Sequence, residues 1–318
     1  MYNAFYERDI DRALEHRVKA RHLRRRLAIE RDHEAQIFGQ GRKFFHPENW
    51  YSLHALIRTT LRLSGCYARG RRNALDIAVR HNDIRIAGLP AMFNGFTILH
   101  LSDLHLDVHP ELTHVLSERM RDVDYHMVVL TGDYRGQTFG PHTAAIEAMA
   151  RLRPHFRAPV YGVLGNHDTI RMVPPFEAMG IRMLLNEAVA VERGGEAIYL
   201  SGIDDPHYYK ADDLTEAGAS IPPEAISILL SHSPEIYRRA AQAGFNVLLC
   251  GHTHGGQICL PGGWAIIYNA HCPRKLCAGA WRYHQLLGYT SVGVGVSIVE
   301  VRFNCRPEIT LHHLQATS

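Results

Sequence analysis

The chain has 318 residues, of which 46% are hydrophobic and 21% charged, and its formal net charge is +3 at pH 7. This composition is ordinary for a globular protein with a sizeable core, and the length suits one large domain with an appendage or two modest domains. The sequence has no uncharged apolar run of about 18 residues and no apolar segment at its N-terminus, so neither a transmembrane helix nor a secretory signal peptide is expected.

The N-terminal part of the chain is far more basic than the rest. Residues 1–72 carry 16 Lys and Arg against 8 Asp and Glu, whereas the remainder carries 19 against 24. The two parts therefore face different electrostatic surroundings. We predict a basic amphipathic helical extension over residues 1–72 and a catalytic domain over residues 73–318.

Two helical stretches are predicted in the extension. The first, residues 1–35, is highly charged and is followed by an interruption at Gly39, Gly41 and Pro47. Its thin apolar stripe consists of Tyr6, Ile10, Leu14, Val18 and Leu23. The second stretch has apolar residues on one face and arginines elsewhere, namely Leu53, Leu56, Ile57 and Leu61 with Arg58, Arg62, Arg69, Arg71 and Arg72.

Such helices can lie on an anionic bilayer with their apolar faces down. The alternatives are a helical pair packed on the catalytic domain and a dimerisation arm. Nucleic-acid binding is not expected, because few aromatic residues interrupt the basic stretch.

From about Leu75 the sequence alternates between strand-like and helix-like patterns. A strand is predicted over Asp76–Ile86, and two paired strands over Ile298–Phe303 and Ile309–Leu314. The predicted helices are Leu112–Val123, Thr143–Leu152 and Pro234–Ala243. Strands that alternate with helices and then a β-rich end indicate an α/β sandwich with mixed sheets.

Five short polar motifs each follow an apolar run that predicts a buried strand. The runs are Thr97–Leu101, Met127–Leu130, Val160–Leu164, Ile226–Leu230 and Phe245–Cys250. The motifs are Asp103-Leu104-His105, Gly132-Asp133, Gly165-Asn166-His167-Asp168, Ser231-His232-Ser233 and Gly251-His252-Thr253-His254. Because the carboxyl ends of strands in α/β sheets converge on one crevice, the five motifs predict a single site.

The side chains of these motifs suit a pair of metal ions. They offer two aspartates, one asparagine and four histidines: Asp103, Asp133, Asn166, His105, His232, His252 and His254. Borderline cations accept imidazole as well as oxygen ligands, so Mn²⁺ is favoured, with Zn²⁺ and Fe²⁺ as alternatives. Two such ions about 3.5–4 Å apart can clamp a phosphoryl group and activate water. Asp133, at its Gly-Asp turn, is the natural carboxylate to be shared by both ions.

The motif set resembles the calcineurin-like metallophosphoesterase superfamily from about Leu75 to the C-terminus. The longer strings 99–105 and 251–257 strengthen the resemblance. It implies a four-layer α/β/β/α sandwich that binds one metal through Asp103, His105, Asp133 and His254 and a second through Asp133, Asn166, His232 and His252. It also implies that His167 reaches the substrate phosphate and protonates the leaving oxygen, and that Asp168 orients His167.

The form of the last motif, together with Arg302 and Pro307-Glu308, resembles a bacterial branch of mostly membrane-associated members similar to UDP-2,3-diacylglucosamine pyrophosphatases. The chain departs from that branch in two places. Basic amphipathic helices stand where a membrane segment often precedes the first strand, and Tyr134-Arg135 stands where relatives often carry an acidic residue. Arg135 is predicted to contact the substrate phosphate or to alter the surroundings of the metals.

Other substrate contacts are predicted in two loops. Asp205 follows the predicted strand Ala197–Leu200, and Arg274 and Lys275 follow the fifth motif; ordinary turns are the alternative for each. The segment after the fifth motif is rich in apolar and aromatic residues: Trp264, Ile266, Ile267, Tyr268, Trp281, Tyr283, Leu286 and Leu287. It is interpreted either as a packed excursion or as a wall of the cleft that accepts an acyl chain or a base.

The expected function is hydrolysis of phosphodiester or pyrophosphate bonds, in a membrane-held lipid such as UDP-2,3-diacylglucosamine or a phospholipid. One alternative is a soluble phosphomonoesterase or cyclic-nucleotide phosphodiesterase, and another is a non-catalytic metal-bearing scaffold. The six cysteines lack a Cys-x-x-Cys pair and are expected to be free thiols. A cytoplasmic protein is therefore expected, either free or peripheral on the inner face of the membrane.

Overall fold

The computed structural model describes residues 2–38, 51–297 and 299–317. Ahead of the first strand, the described residues form the helices α1 (Tyr2–Arg17), α2 (Ala20–Phe38), α3 (Tyr51–Leu63) and α4 (Tyr67–Ala74). The predicted interruption at Gly39, Gly41 and Pro47 lies outside the described residues. Residue 72 falls inside α4, and the division of the chain at that point stays a prediction.

The remainder of the chain alternates between strands and short helices. The strands are β1 (Ala78–Ile86), β2 (Thr97–Leu101), β3 (Met127–Leu130), β4 (Val160–Gly162), β5 (Ile181–Met183), β6 (Glu187–Arg193), β7 (Glu196–Gly202), β8 (Ser227–Leu230), β9 (Val247–Cys250), β10 (Cys259–Leu260), β11 (Trp264–Ala265), β12 (Gly279–Tyr283), β13 (Leu286–Thr290) and β14 (Glu308–Ala316). The helices are α5 (Leu112–Arg121), α6 (Thr143–Leu152), α7 (Val173–Ala178), α8 (Leu214–Gly218) and α9 (Tyr237–Gln242).

The strands form two six-stranded sheets and a small hairpin of β10 and β11. The first sheet has the order β1-β14-β2-β3-β4-β5, and the second has the order β12-β13-β9-β8-β7-β6. Neighbours are parallel from β2 to β5 and from β7 through β8 and β9 to β13. Parallel strands are covered on both faces, which is why the central strands appear in the sequence as continuous apolar runs.

Alternate side chains of the central strands point into different layers. In β3, Val128 and Leu130 pack against helices, whereas Met127 and Val129 pack between the two sheets. In β9, Val247 and Leu249 join the layer between the sheets, and Leu248 and Cys250 face α8 and α9 with the rest of a third cluster. The molecule is therefore a four-layer α/β/β/α sandwich, as the sequence resemblance implied.

The helices α1 and α2 pack on the sandwich. Ile10, Leu14, Val18 and Leu23 from their apolar stripe are all buried, in the same core cluster as the side chains under α5, α6 and α7. Arg17 adds ion pairs to Glu177, at 2.9 Å, and to Glu187. This corrects the bilayer prediction for α1 and α2, because the apolar face that would meet lipid is already covered by protein.

The third helix is different, because two of its described apolar side chains are exposed. Leu56 is 62% exposed and Leu63 is 85% exposed. Within residues 2–38, 51–297 and 299–317, no helix has the length and apolarity to cross a bilayer.

The prediction of paired strands at the end of the chain is half wrong. Ile309–Leu314 lies in β14, which pairs with β1 and β2. In the described part of 298–303, the β-pairing found is an isolated bridge between Ile258 and Phe303. Gly70 of α4 lies against the side chains of Val301 and Phe303. The apolar residues of this segment therefore pack against a helix instead of forming a strand.

Candidate metal centre

The five polar motifs meet where the carboxyl ends of the two sheets face each other. Asp103, Asp133 and Asn166 follow β2, β3 and β4 of the first sheet, while His232 and His252 follow β8 and β9 of the second. The loops approach so closely that a Cβ on Gly251 would collide with Ser102 Oγ, and a Cβ on Gly165 would collide with Asp133. Gly251 lets backbone from the two sheets come together, and Gly165 lets the loops after β3 and β4 come together within the first sheet.

Several of the expected ligands sit on strained backbone. A positive φ is uncommon for residues other than glycine and marks positions that the surrounding structure holds in place. The residues with such angles are Asp103 (52°), His105 (41°), Asp133 (57°), His252 (72°) and His254 (51°). The tight turns aim their side chains into one buried space, where each of the seven expected ligands is 7% exposed or less.

The first group of side chains is Asp103, His105 and His254. His105 Nε2 lies 3.1 Å from His254 Nε2, which lies 3.3 Å from Asp103 Oδ1. Three ligand atoms of this group lie close enough to hold one metal ion.

The second group is Asp133, Asn166, His232 and His252. Asn166 Oδ1 lies 2.9 Å from His232 Nε2 and 2.8 Å from His252 Nδ1. Asp133 Oδ2 lies 3.2 Å from His232 Nε2 and also 3.8 Å from His105 Nε2 of the first group. Asp133 therefore stands between the two groups, where a shared carboxylate is required.

The outward nitrogens of two histidines show that the site fits cations. His105 Nδ1 donates to the carbonyl of Arg135 at 2.7 Å, and His232 Nδ1 donates to the carbonyl of Thr131 at 2.7 Å. If the imidazole is neutral and its proton is on Nδ1, then Nε2 carries a lone pair. This lone pair faces carboxylate and amide oxygens, and the two repel each other. A divalent cation removes that repulsion, and such outer partners orient metal ligands in known sites.

A proton can take the place of the cation at His232. Burial lowers the pKa of His232, but Asp133, Asp103 and Asp205 outweigh it and raise that pKa to about 10. At pH 7 the metal-free protein is therefore expected to hold a proton on His232 that a bound cation must displace.

Proton release on metal binding follows as a testable prediction. We expect Mn²⁺ binding at pH 7 to release about one proton per chain from His232, and affinity to rise with pH because the proton competes less. Calorimetric titration of chelator-treated protein in two buffers with different ionisation enthalpies measures the release. Equal heats in both buffers would contradict the prediction.

His167 lies at the edge of the first group. Its Nε2 is 3.8 Å from Asp133 Oδ2, and its backbone N–H donates to Asp133 Oδ1 at 2.9 Å. Burial lowers the pKa of His167 to about 4, against the raising effect of Asp133. Without substrate, the ring is therefore expected to be neutral at pH 7, with one N–H that can donate a hydrogen bond.

Asp168 does not orient His167 as the resemblance implied. Its carboxylate accepts hydrogen bonds from the backbone N–H groups of Asp133 at 2.8 Å, Tyr134 at 2.9 Å and Gly165 at 2.8 Å. His167 Nδ1 is buried and has no hydrogen-bond partner among the described residues. The Asp168 side chain instead joins two loops that carry expected ligands.

The side chain of Arg135 is also engaged with backbone. Its guanidinium donates to the carbonyls of His167, of Gly140 at 2.7 Å and of Thr138 at 2.7 Å. The side chain is buried. The donors of Arg135 therefore stabilise the loop that follows Asp133, in keeping with the alternative that it alters the surroundings of the metals. Its contact with a substrate phosphate stays a prediction.

The two other predicted substrate loops adopt ordinary turns. The buried carboxylate of Asp205 accepts from the N–H groups of Tyr208 and Tyr209, both at 2.7 Å, so the turn alternative describes it. Arg274 donates to the carbonyl of Ala265 and lies 4.8 Å above the ring of Trp264. Lys275 is exposed on the same turn.

Two side chains beside the site were missed by sequence reasoning. The ring of His207 lies 4.2 Å from the ring of His252, and His207 Nδ1 lies 3.0 Å from Glu235 Oε1. Arg302 was noted only as part of a family pattern; its guanidinium is buried, donates to the carbonyls of Val292 and Gly293, and lies 3.4 Å from His254 Nδ1. Neither position has a local motif, because each is defined by distant parts of the chain.

Buried carboxylates, an amide and imidazoles at the facing strand ends of a four-layer sandwich define a metal-dependent phosphoester hydrolase. The family model described as calcineurin-like phosphoesterase matches residues 96–256, about half of the chain. The chain belongs to this calcineurin-like phosphoesterase family.

Similar proteins include two bacterial relatives and one bacterial protein of known structure. The chain is 31% identical over 263 residues to the uncharacterized metallophosphoesterase YkoQ of Bacillus subtilis, covering 77% of this chain and 93% of that protein. It is 26% identical over 235 residues to the phosphodiesterase YaeI of Escherichia coli, covering 69% of this chain and 82% of that protein. The structure of the sulfate thiohydrolase SoxB from Thermus thermophilus has a TM-score of 0.44 and 13% identity, with 71% of this chain and 57% of that chain covered.

Proposed function

We propose that this chain hydrolyses phosphodiester or pyrophosphate bonds with two divalent cations. Asp103, His105, Asp133 and His254 would hold one cation, and Asp133, Asn166, His232 and His252 the other. The position of Asp133 carries the proposal, because its Oδ2 lies 3.8 Å from His105 Nε2 and 3.2 Å from His232 Nε2.

The cations would supply positive charge to the phosphoryl oxygens and activate water for attack. The chain's own part is positioning. The outward hydrogen bonds of His105 and His232 fix their rings, and the contact between the His167 amide and Asp133 ties the loop of His167 to the shared carboxylate. His167 is then placed to contact the substrate phosphate, whose negative charge would favour the protonated ring that can give a proton to the leaving oxygen.

The finer proposal concerns the substrate, which we take to be lipid-linked, as in UDP-2,3-diacylglucosamine or a phospholipid. The hairpin of β10 and β11 and the residues after it expose apolar side chains: Leu260 at 45%, Trp264 at 61%, Ile266 at 58% and Ile267 at 74%. Gly256, two residues after His254, lies against Ala265 of this hairpin. An apolar arm of this kind beside the candidate site can accept acyl chains.

Part of the extension supports the same proposal. Leu56 and Leu63 of α3 are exposed, and α3 also carries Arg58 and Arg62. An amphipathic basic helix suits an anionic surface. With α1 and α2 covered, α3 and the hairpin are the proposed contacts with the inner face of a membrane.

The test of the reaction is a hydrolysis panel after removal of metals by a chelator. Bis-p-nitrophenyl phosphate, p-nitrophenyl phosphate and a UDP-linked lipid would each be supplied with Mn²⁺, Zn²⁺ or Mg²⁺. Cleavage of the diester or the lipid, with Mn²⁺ most effective, supports the proposal. A preference for the monoester would favour a phosphomonoesterase, and absence of turnover with every cation would favour a scaffold.

The membrane contact has its own prediction. Full-length protein is expected to sediment with anionic liposomes at low salt, and a double substitution Ile266→Ser and Ile267→Ser is expected to weaken sedimentation by removing apolar contact. Met92→Ser is the matched control, because Met92 is also exposed, at 45%, but lies against Gly194 in the β6–β7 turn. Equal sedimentation of all three proteins would count against the hairpin as a lipid contact.

A further inference from the structure

A buried arginine connects α2 to the loop that carries Asn166 and His167. Arg26 is fully buried, and its Nη2 donates to the carbonyl of Asp168 at 2.9 Å. Its Nε donates to Asp204 Oδ2 at 3.1 Å, and its guanidinium lies 3.3 Å above the ring of Tyr209. Burying an arginine is unfavourable unless it is paired and hydrogen-bonded. These contacts meet that condition and fix the position of the Arg26 side chain.

Glu30 holds the same loop one helical turn later. Its Oε2 accepts from Thr169 Oγ1 at 2.7 Å, and its Oε1 accepts from the N–H of Ile170 at 2.8 Å. Glu30 Oε1 also lies 2.9 Å from Arg26 Nη1. Residues four apart share one face of a helix. Arg26 and Glu30 therefore hydrogen-bond together to three consecutive residues of the loop, 168–170.

The opposite side of this loop faces the candidate metal centre. The backbone of His167 donates to Asp133 and accepts from Arg135, and the Asp168 side chain bonds to the amides of Asp133 and Gly165. Asn166 Oδ1 is in contact with His232 and His252. The loop is thus held between α2 on one side and the expected ligands on the other.

We propose that the Arg26–Glu30 pair of α2 is a positioning device for the metal centre. The pair fixes the 165–170 loop, so Asn166 and His167 are held in place only while α2 is docked. The basic extension thereby contributes to metal affinity and turnover as well as to stability. The part of the proposal that concerns metal affinity rests on the proposed function.

Four substitutions test this positioning role. Arg26→Gln and Glu30→Gln weaken the contacts of α2 with the loop, because each removes a charge and Glu30→Gln also removes one of two acceptor oxygens. Arg17→Gln removes the ion pairs of α1 with Glu177 and Glu187, away from the loop. We expect Glu30→Gln and Arg26→Gln to lower Mn²⁺ affinity by about tenfold, the lower range for loss of an outer partner of a metal ligand. Arg17→Gln is expected to lower Tm and to leave Mn²⁺ affinity unchanged. Glu34→Gln, which changes an exposed residue of the same helix, is the charge-matched control for Glu30→Gln.

Hydrogen–deuterium exchange of the loop separates this proposal from the proposed function. In metal-free protein, the amide of His167 is expected to exchange faster in Glu30→Gln than in wild type or Arg17→Gln. Glu30→Gln keeps the helix and a side chain that can still form one hydrogen bond. It therefore tests the proposal even if Arg26→Gln fails to fold. Unchanged exchange at His167, or a loss of Tm with unchanged Mn²⁺ affinity, would overturn the positioning role. A different result separates the two proposals. If the wild-type protein hydrolyses no phosphoester but Glu30→Gln still speeds exchange at His167, the loop-positioning proposal holds and the proposed function is refuted.

Discussion

His254→Ala is expected to abolish hydrolysis of bis-p-nitrophenyl phosphate while the protein remains folded. The substitution removes one imidazole from the first group, and Asn166→Ala removes the amide oxygen that faces two histidines of the second. A metal ion stabilises the charge of the transition state by several kcal/mol. Since about 1.36 kcal/mol of barrier corresponds to a factor of ten in rate, losing the ion should lower kcat by roughly a thousandfold. Turnover and bound metal per chain would be measured together after reconstitution with Mn²⁺.

His81→Ala is the control for this experiment. His81 is exposed on β1, where its ring stacks on His313, far along the sheet from the candidate site. It should keep full activity and full metal content. If purified His254→Ala and Asn166→Ala keep wild-type turnover, the two-metal proposal is wrong.

His167→Ala is expected to slow the reaction in a way that depends on the leaving group. A general acid contributes about 10²–10⁴-fold, and its contribution grows as the leaving oxygen becomes more basic. We therefore expect a large loss with an alkyl or sugar leaving group and a smaller loss with p-nitrophenolate, which departs without a proton. The measurement is kcat/KM for a series of phosphodiesters whose leaving groups differ in pKa.

His207→Ala is the matched variant for this series. His207 also lies beside the site, against the ring of His252, so its loss should lower activity by a similar factor for every leaving group. If His167→Ala also loses the same factor for every leaving group, His167 binds the phosphate without donating a proton.

The central strands were predictable because a strand that is buried on both faces appears in the sequence as a continuous apolar run. The predicted bounds Thr97–Leu101 and Met127–Leu130 are those of β2 and β3. The five motifs were predictable as one site for the same reason, since the polar residues begin where the apolar runs end. The hairpin of β6 and β7 is also marked in the sequence, because Gly194-Gly195 favours a two-residue turn between strands.

The partners of charged side chains were not predictable. Arg135 binds the distant carbonyl of His167 besides two carbonyls close to it in the chain, and Asp168 binds the distant amides of Asp133 and Tyr134. These distant partners are defined by tertiary contacts, which no local pattern in the sequence marks. The same holds for α1 and α2, whose apolar stripe was visible although the surface that covers it was not. The segment 299–303 shows the converse, since an apolar pattern that favours a strand is satisfied by packing on α4.

The candidate metal centre draws its side chains from both sheets, and His105 and His254, which contact each other there, are 149 positions apart in the chain. An unfolded chain cannot present such a set, so cations at this site would bind only the folded protein and would stabilise it by mass action. On the proposed function, the supply of metal in the cell then governs how many copies of the protein survive, because chains without metal spend more time unfolded and are removed by proteases. Metal scarcity would thus lower the abundance of the protein along with its activity.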